Sequence, residues 1–160
     1  MRLRAAFLAM TLIGTAVAGQ AHASVTCQPT SGSIARVGTI ATNAVRKASG
    51  LPALTAHPAL NQAAARHACD MARSGRMSHR GSGTNGPAAR VKAAGYAPSR
   101  TAENIAAGPF TVSGVLQAWV NSRGHRKNIT MRQARHFGLG SAIGADGRTV
   151  YWAAVYAAPR

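Results

Sequence analysis

The chain has 160 residues and carries 19 Lys and Arg against three Asp and Glu, a formal charge of +16, with 5% aromatic residues. That length fits one domain with a modest core. The positive balance favours polyanionic surroundings, but the basic residues are scattered and aromatics are too few to stack bases, which argues against specific nucleic-acid readout.

Met1 to Arg4 is basic, Ala5 to Ala18 is almost wholly apolar, and Ala21-His22-Ala23 is a small-x-small cleavage site, the layout of a secretory signal peptide over residues 1–23. The apolar run of about 14 residues falls short of the ~20 that span a bilayer core. No later stretch is apolar enough to span, and Thr26 before Cys27 disfavours lipid anchoring. The mature chain is therefore expected to be secreted or periplasmic, with no transmembrane segment. Without Arg2 and Arg4 it keeps 17 basic residues against three acids, a formal +14, suited to anionic cell-envelope polymers. Cys27 and Cys69 fit an oxidising compartment. A bridge between them would close a long loop, worth ~4 kcal/mol in the chain-entropy model; a free or catalytic thiol is the alternative.

Residues 24–32 form a polar, turn-rich lead-in, and the domain is expected over 33–160. Ile34, Val37, Ile40, Ala41, Ala44 and Val45 repeat at helical spacing and Gly50 stops that helix. Leu51-Pro52-Ala53-Leu54 is an extended connector. Pro58 opens a second helix, where its missing N–H costs nothing. Leu60, Ala64, His67, Ala68 and Met71 share one face, with Cys69 about half a turn from Leu60 and hence near the outer face. His67 is expected as a hydrogen-bonded core residue. The Gly81–Gly86 stretch is an irregular loop lacking the ending of a phosphate-binding loop. Pro87 to Ala94 makes a short helix closed by Gly95. Glu103 follows a loop. Thr111 caps a helix whose buried stripe is Val112, Val115, Leu116 and Trp119, with Phe110 stapled to Val115. That helix gives out near Ser122-Arg123-Gly124. Over His136–Ile143, Phe137, Leu139 and Ile143 fall on one side and small residues on the other. A turn at Gly144–Gly147 returns the chain as a strand over Thr149–Ala157. These elements predict an α+β fold, with helices on both faces of a small antiparallel sheet.

Glu103 is the only glutamate in the chain, and Asp70 and Asp146 are the only other acids. With so many cations available, its simplest role is a structural ion pair. Its setting suggests more, because Ser78-His79 lies upstream and Gly124-His125-Arg126 downstream, all at element ends. Two imidazoles and a carboxylate form the donor set of an open divalent-metal site, or, without metal, an acid/base group titrating near neutrality. The bland alternatives are a His at a helix C-terminus for Ser78-His79 and a polar turn for His125-Arg126-Lys127-Asn128. For Asn43 and Arg46 the structural role is adopted: the pair ties the first helix to a neighbouring loop.

Asn43-x-x-Arg46, Leu51-Pro52-x-Leu54, His67-Ala68-x-Asp70-Met71, Ser78-His79, Ala93-Ala94-Gly95-Tyr96, Glu103-Asn104-Ile105-Ala106, Trp119-x-x-Ser122-x-Gly124-His125-Arg126-x-Asn128-Ile129 and Phe137-Gly138-Leu139-Gly140 occur in this order. With them the chain resembles the bacterial branch of the CAP superfamily (cysteine-rich secretory proteins, antigen 5, pathogenesis-related 1), or SCP domain, from about Ser33 to Ala158. The resemblance implies an α-β-α sandwich with a cleft of two His and two acidic residues. In some members that cleft takes zinc or magnesium, and eukaryotic relatives bind sterols or lipids. His79, Glu103 and His125 match three cleft positions, Glu103 with Ala102 in place of the Gly of a G-E-N motif. The fourth position, an acid three residues after the Trp, is Ser122. The implied metal ligands are therefore His79, Glu103 and His125, and the implied cofactor is a divalent cation, Zn or Mg.

A paired-carboxylate hydrolysis needs two Asp or Glu and is disfavoured by Ser122. A serine triad through Ser78 or Ser122 lacks the nucleophile elbow. The expectation is an exported binding or interaction module whose His/Glu cleft accepts a divalent cation, a small apolar ligand or a lipid. The alternative is a secreted metal-assisted hydrolase of peptide, ester or cell-wall substrates.

Overall fold

The computed structural model describes residues 24–160, so the expected leader, residues 1–23, lies outside it. In chain order the elements are β1 (Thr26–Cys27), α1 (Gly32–Ala48), β2 (Thr55–Ala56), α2 (Pro58–Ser74), α3 (Pro87–Ala93), β3 (Pro98–Gly108), α4 (Val112–Asn121), α5 (Arg123–Ile129), β4 (His136–Ile143) and β5 (Val150–Pro159). The sheet order is β1-β4-β5-β3; all of these pairs are antiparallel, and the two-residue β2 joins β4 in parallel. Helices α2 and α3 cover one face and α1, α4 and α5 the other. This is the expected α-β-α sandwich.

The helices form where periodicity and caps agree. The Ser31 side chain accepts from Ile34 N to start α1, Pro58 stands at the start of α2, and Gly75 ends α2 in the left-handed region at φ 65°. The Thr111 side chain caps α4 as expected. Strand β5 lies between β4 and β3 with both faces covered, which explains its unbroken run Tyr151-Trp152-Ala153-Ala154-Val155-Tyr156. Leu60, Ala64, Ala68, Met71, Val91, Ile105 and Val155 fill one core layer. Leu116, Trp119, Phe137, Leu139, Trp152 and Tyr156 fill the other.

The small residues of β4 determine how close α2 sits. A Cβ on Gly138 would run into the Leu60 and Asn61 backbone, and one on Gly140 into the Ala64 and Ala65 backbone. Helix and strand therefore touch main chain to main chain. Asn43 and Arg46 play the structural part expected of them. Asn43 exchanges hydrogen bonds with Leu54, Nδ2 to O at 2.9 Å and Leu54 N to Oδ1 at 2.8 Å. Arg46, fully buried, donates to the carbonyls of Pro52, Ile129 and Met131.

Two elements depart from expectation. The Glu103 segment, expected at an element end after a loop, lies in the middle of β3, which pairs with β5 over almost its whole length. Its sequence is poor in β-branched and aromatic residues, so its strand character comes from the ladder with β5. Residues 123–129 are not a turn but α5, a seven-residue helix. Only Ile129 of α5 is buried, too little for a periodic signal.

Both edges of the sheet are partly covered. On the outer side of β4, β1 pairs with Ala142 and Ile143, and β2 with His136 and Phe137. Between them Thr30 Oγ1 donates to Leu139 O at 2.6 Å and Leu139 N donates to Asn61 Oδ1 at 3.0 Å. On β3, Glu103 O accepts from Asn128 Nδ2 and Ile105 O from Trp119 Nε1. Cys27 and Cys69 are disulfide-bonded, fastening β1 to α2. Cys69, expected near the outer face of its helix, is only 8% exposed, because β1 lies over it.

Candidate functional site

Glu103 stands on β3, the edge strand, and its side chain turns toward the α2–α3 face while the neighbouring Asn104 turns to the other, as strand alternation requires. The loop after α2 brings in His79, and α5 brings in His125 from across the edge. The amides hold this junction together. Asn128 Nδ2 donates to Asn104 Oδ1 at 2.8 Å as well as to Glu103 O, and Asn104 Nδ2 donates to His125 O at 3.1 Å. Ser122, where a second acid is absent, is the hinge residue between α4 and α5.

Both carboxylate oxygens of Glu103 are engaged. Oε1 accepts from His79 Nδ1 at 2.8 Å, and Oε2 accepts from Arg90 at 2.5 Å. The carboxylate is 1% exposed and the Arg90 side chain 7%, whereas the His79 side chain is 58% exposed. Arg90 also donates to His79 O and Thr84 Oγ1, both at 3.1 Å, so one guanidinium fixes the acid and the loop that carries the imidazole. The simplest reading of Glu103 is thus realised: it is a buried ion pair that also orients His79. With Nδ1 bonded to the carboxylate, the exposed His79 ring leaves Nε2 without a hydrogen-bond partner among the described residues.

His67 lies beneath this group. It is buried as expected but lacks the expected hydrogen bonds: Nε2 is 3.7 Å from Glu103 Oε1, and neither ring nitrogen has a partner. Burial pushes its imidazole below the usual histidine range, against the pull of Glu103. Burial, and then the charge of His79, push His125 down as well. The ring of His125 rests 6.4 Å from that of Trp119, and its Nδ1 is buried without a partner.

His79, Glu103 and His125 are therefore neighbours but not a three-ligand shell. Among the described residues no three His, Cys, Asp or Glu side chains form a group that could hold a metal ion. Glu103 would have to release both Arg90 and His79 to become a ligand, and Arg90 brings a positive charge to the position a cation would take. The donors still suited to a cation are the His79 and His125 imidazoles. Arg90 escaped the sequence reading because nothing local separates it from the other basic residues. Asn104 and Asn128 stood beside the singled-out residues, but their amide bonds depend on the β3–α5 contact.

The model of the CAP family (Cysteine-rich secretory protein family) matches residues 39–156. The chain belongs to the CAP family. A curated CAP relative, the uncharacterized protein YkwD of Bacillus subtilis, is 35% identical over 99 residues, 62% of this chain but 38% of YkwD. An extracellular protein containing a SCP domain from Bacillus anthracis superposes with TM-score 0.70 at 25% identity, over 79% of this chain and 40% of that one. An outer surface protein of Borrelia burgdorferi gives TM-score 0.71 at 17% identity, covering 81% of this chain and 95% of that one. The CAP domain here thus spans well under half of two of these relatives. A more distant neighbour, NaASP2, was solved with Zn2+ and aligns over 80% of each chain at 11% identity, TM-score 0.59. Among the described residues no helix of this CAP protein is long and apolar enough to cross a membrane.

Proposed function

We propose that this CAP protein is exported, with residues 1–23 as its signal peptide, and that it works as a binding module, not as a hydrolase. The observation that carries this reading is the commitment of the Glu103 carboxylate to Arg90 and His79. A general base needs a lone pair within reach of substrate or water. Glu103 offers neither, and Ser122 supplies no second acid for a two-carboxylate reaction.

The binding surface is formed by the outward His79 Nε2 and the His125 imidazole beside Trp119. Its ligand is a divalent cation or a small apolar molecule seated against those rings. A cation there would be held by two imidazoles, with Glu103 behind His79 fixing its tautomer. Two protein donors leave the remaining positions to water or ligand, so the binding is weak and exchangeable. The extracellular relative and the zinc-bearing neighbour support export and cation binding by similarity alone.

Calorimetric titration of zinc into chelator-treated protein tests the assignment. Binding should weaken in both His79→Ala and His125→Ala; binding unchanged in both would show that the cation sits elsewhere. Turnover of peptide, ester or cell-wall substrates that is lost in His79→Ala and Glu103→Gln would overturn the binding-module reading in favour of the hydrolase.

A further inference from the structure

A cavity of about 460 Å3 lies between α2, the 81–86 loop and α3, within the range of small-molecule sites. None of its lining residues is His79, Glu103 or His125. Arg66, Asp70 and Arg73 stand at i, i+4 and i+7 on one flank of α2 and line one wall. Arg90 enters from α3, Ser82 and Thr84 come from the loop, and Ala63 and Ala93 supply apolar surface.

Three guanidinium groups share this space with one carboxylate, and that carboxylate is occupied locally. Asp70 Oδ2 accepts from Ser82 N at 2.7 Å and Oδ1 from Ser82 Oγ at 2.5 Å. Among the described residues no carboxylate lies within ion-pair distance of Arg66 or Arg73. Behind the inner wall lies further unused polarity. Arg90 Nε is buried with no hydrogen-bond partner, and His67, 1% exposed, has none at either ring nitrogen. Both groups are sealed behind the wall, so the polar side chains open to an occupant are the exposed Arg66 and Arg73 and the loop hydroxyls. Thr84 Oγ1 accepts from Arg90, which leaves its own hydrogen free to donate.

We propose that this cavity binds a small oxyanion, the carboxylate or phosphate group of a compact molecule whose apolar part lies against Ala63 and Ala93. Arg66 and Arg73 supply charge at the mouth, and the Thr84 hydroxyl is a donor within. The planar guanidinium fork suits oxyanions, and the surplus of arginine repels cations. The site opens apart from the His79–His125 surface, although Arg90 serves both, and its test does not depend on the function assigned to that surface.

The test is a titration of the intact protein with inorganic phosphate and, separately, with hexanoate, at constant ionic strength in chloride. The readout is the side-chain Nε–H resonance of Arg90. We expect that resonance to move saturably with at least one probe, and its apparent affinity to fall at least tenfold in Arg66→Gln/Arg73→Gln. Saturation by phosphate alone assigns a phosphate-type ligand, by hexanoate alone a carboxylate-type one, and by both the shared oxyanion chemistry. Arg123→Gln/Arg132→Gln removes the same charge from a groove on the α1–α5 side and should leave the affinity unchanged. An equal loss in both double variants would reduce the effect to overall charge and overturn the proposal. So would a response no different from that to chloride, or affinity unchanged in Arg66→Gln/Arg73→Gln.

Discussion

Arg90→Met removes the guanidinium from a carboxylate that has almost no contact with water. Glu103 is 5% exposed and Arg90 7%. Taking one partner from a buried ion pair costs about 3–5 kcal/mol, because the other charge stays behind unpaired. A domain is held folded by only about 5–15 kcal/mol, so this single change consumes a large share. It also cuts the bonds from Arg90 to the His79 carbonyl and the Thr84 hydroxyl, loosening the loop that presents His79. At about 3–5 °C per kcal/mol for a domain of this size, the variant should melt roughly 10–20 °C lower. Adding Glu103→Gln removes the orphaned charge, so the double variant should be more stable than Arg90→Met alone. Urea unfolding followed by fluorescence of the buried Trp119 and Trp152 reads both changes. A loss below about 1 kcal/mol for Arg90→Met, or a double variant less stable than the single, would refute the buried-pair account.

Acid should destabilise the fold before its carboxylates titrate. His67, His125 and His136 all have imidazoles pushed below their usual range, chiefly by burial. The unfolded chain then binds more protons, so stability is full above about pH 6.5 and declines as pH falls toward the folded values. The urea midpoint should drop between about pH 7 and pH 5, and His67→Gln should flatten that slope. A midpoint that holds steady across the interval would contradict the downward shift of these three imidazoles. Replacing both bridge cysteines, as Cys27→Ser/Cys69→Ser, should cost about 2–4 kcal/mol in the same assay. Gly140→Ala drives a methyl into the α2 backbone at Ala64 and Ala65, and should cost about 3 kcal/mol or more. A near-neutral Gly140→Ala would mean that α2 can slide along β4.

The sequence was most informative where one residue type carries a local physical reason. Pro58, Gly50 and Thr111 mark helix ends through their own backbone or side-chain chemistry, and the Asn43–Arg46 anchor followed from helical spacing. The strand β3 and the helix α5 were hidden because each is stabilised by its neighbour. Ala102, Ala106 and Ala107 have no preference for strand until β5 lies beside them. His79, Glu103 and His125 could be ordered along the chain and are adjacent in space. What the order did not reveal is that Glu103 faces Arg90. Pairing across a fold has no spacing rule, and in a chain this basic any of many side chains could have answered the single glutamate.

The cover on both sheet edges has a consequence for how this protein can meet other chains. An extended peptide that sought to add itself to β4 or β3 would find the carbonyls at Leu139, Glu103 and Ile105 already occupied. The two covers differ in kind. Helix α5 and Trp119 shield β3 as part of the fold, whereas β1 is two residues long and fastened by one covalent bond. While its thiols are reduced, the chain can release β1 and bare the end of β4 as a template for self-association. Oxidation therefore does more than add stability: it keeps β1 seated over the end of β4.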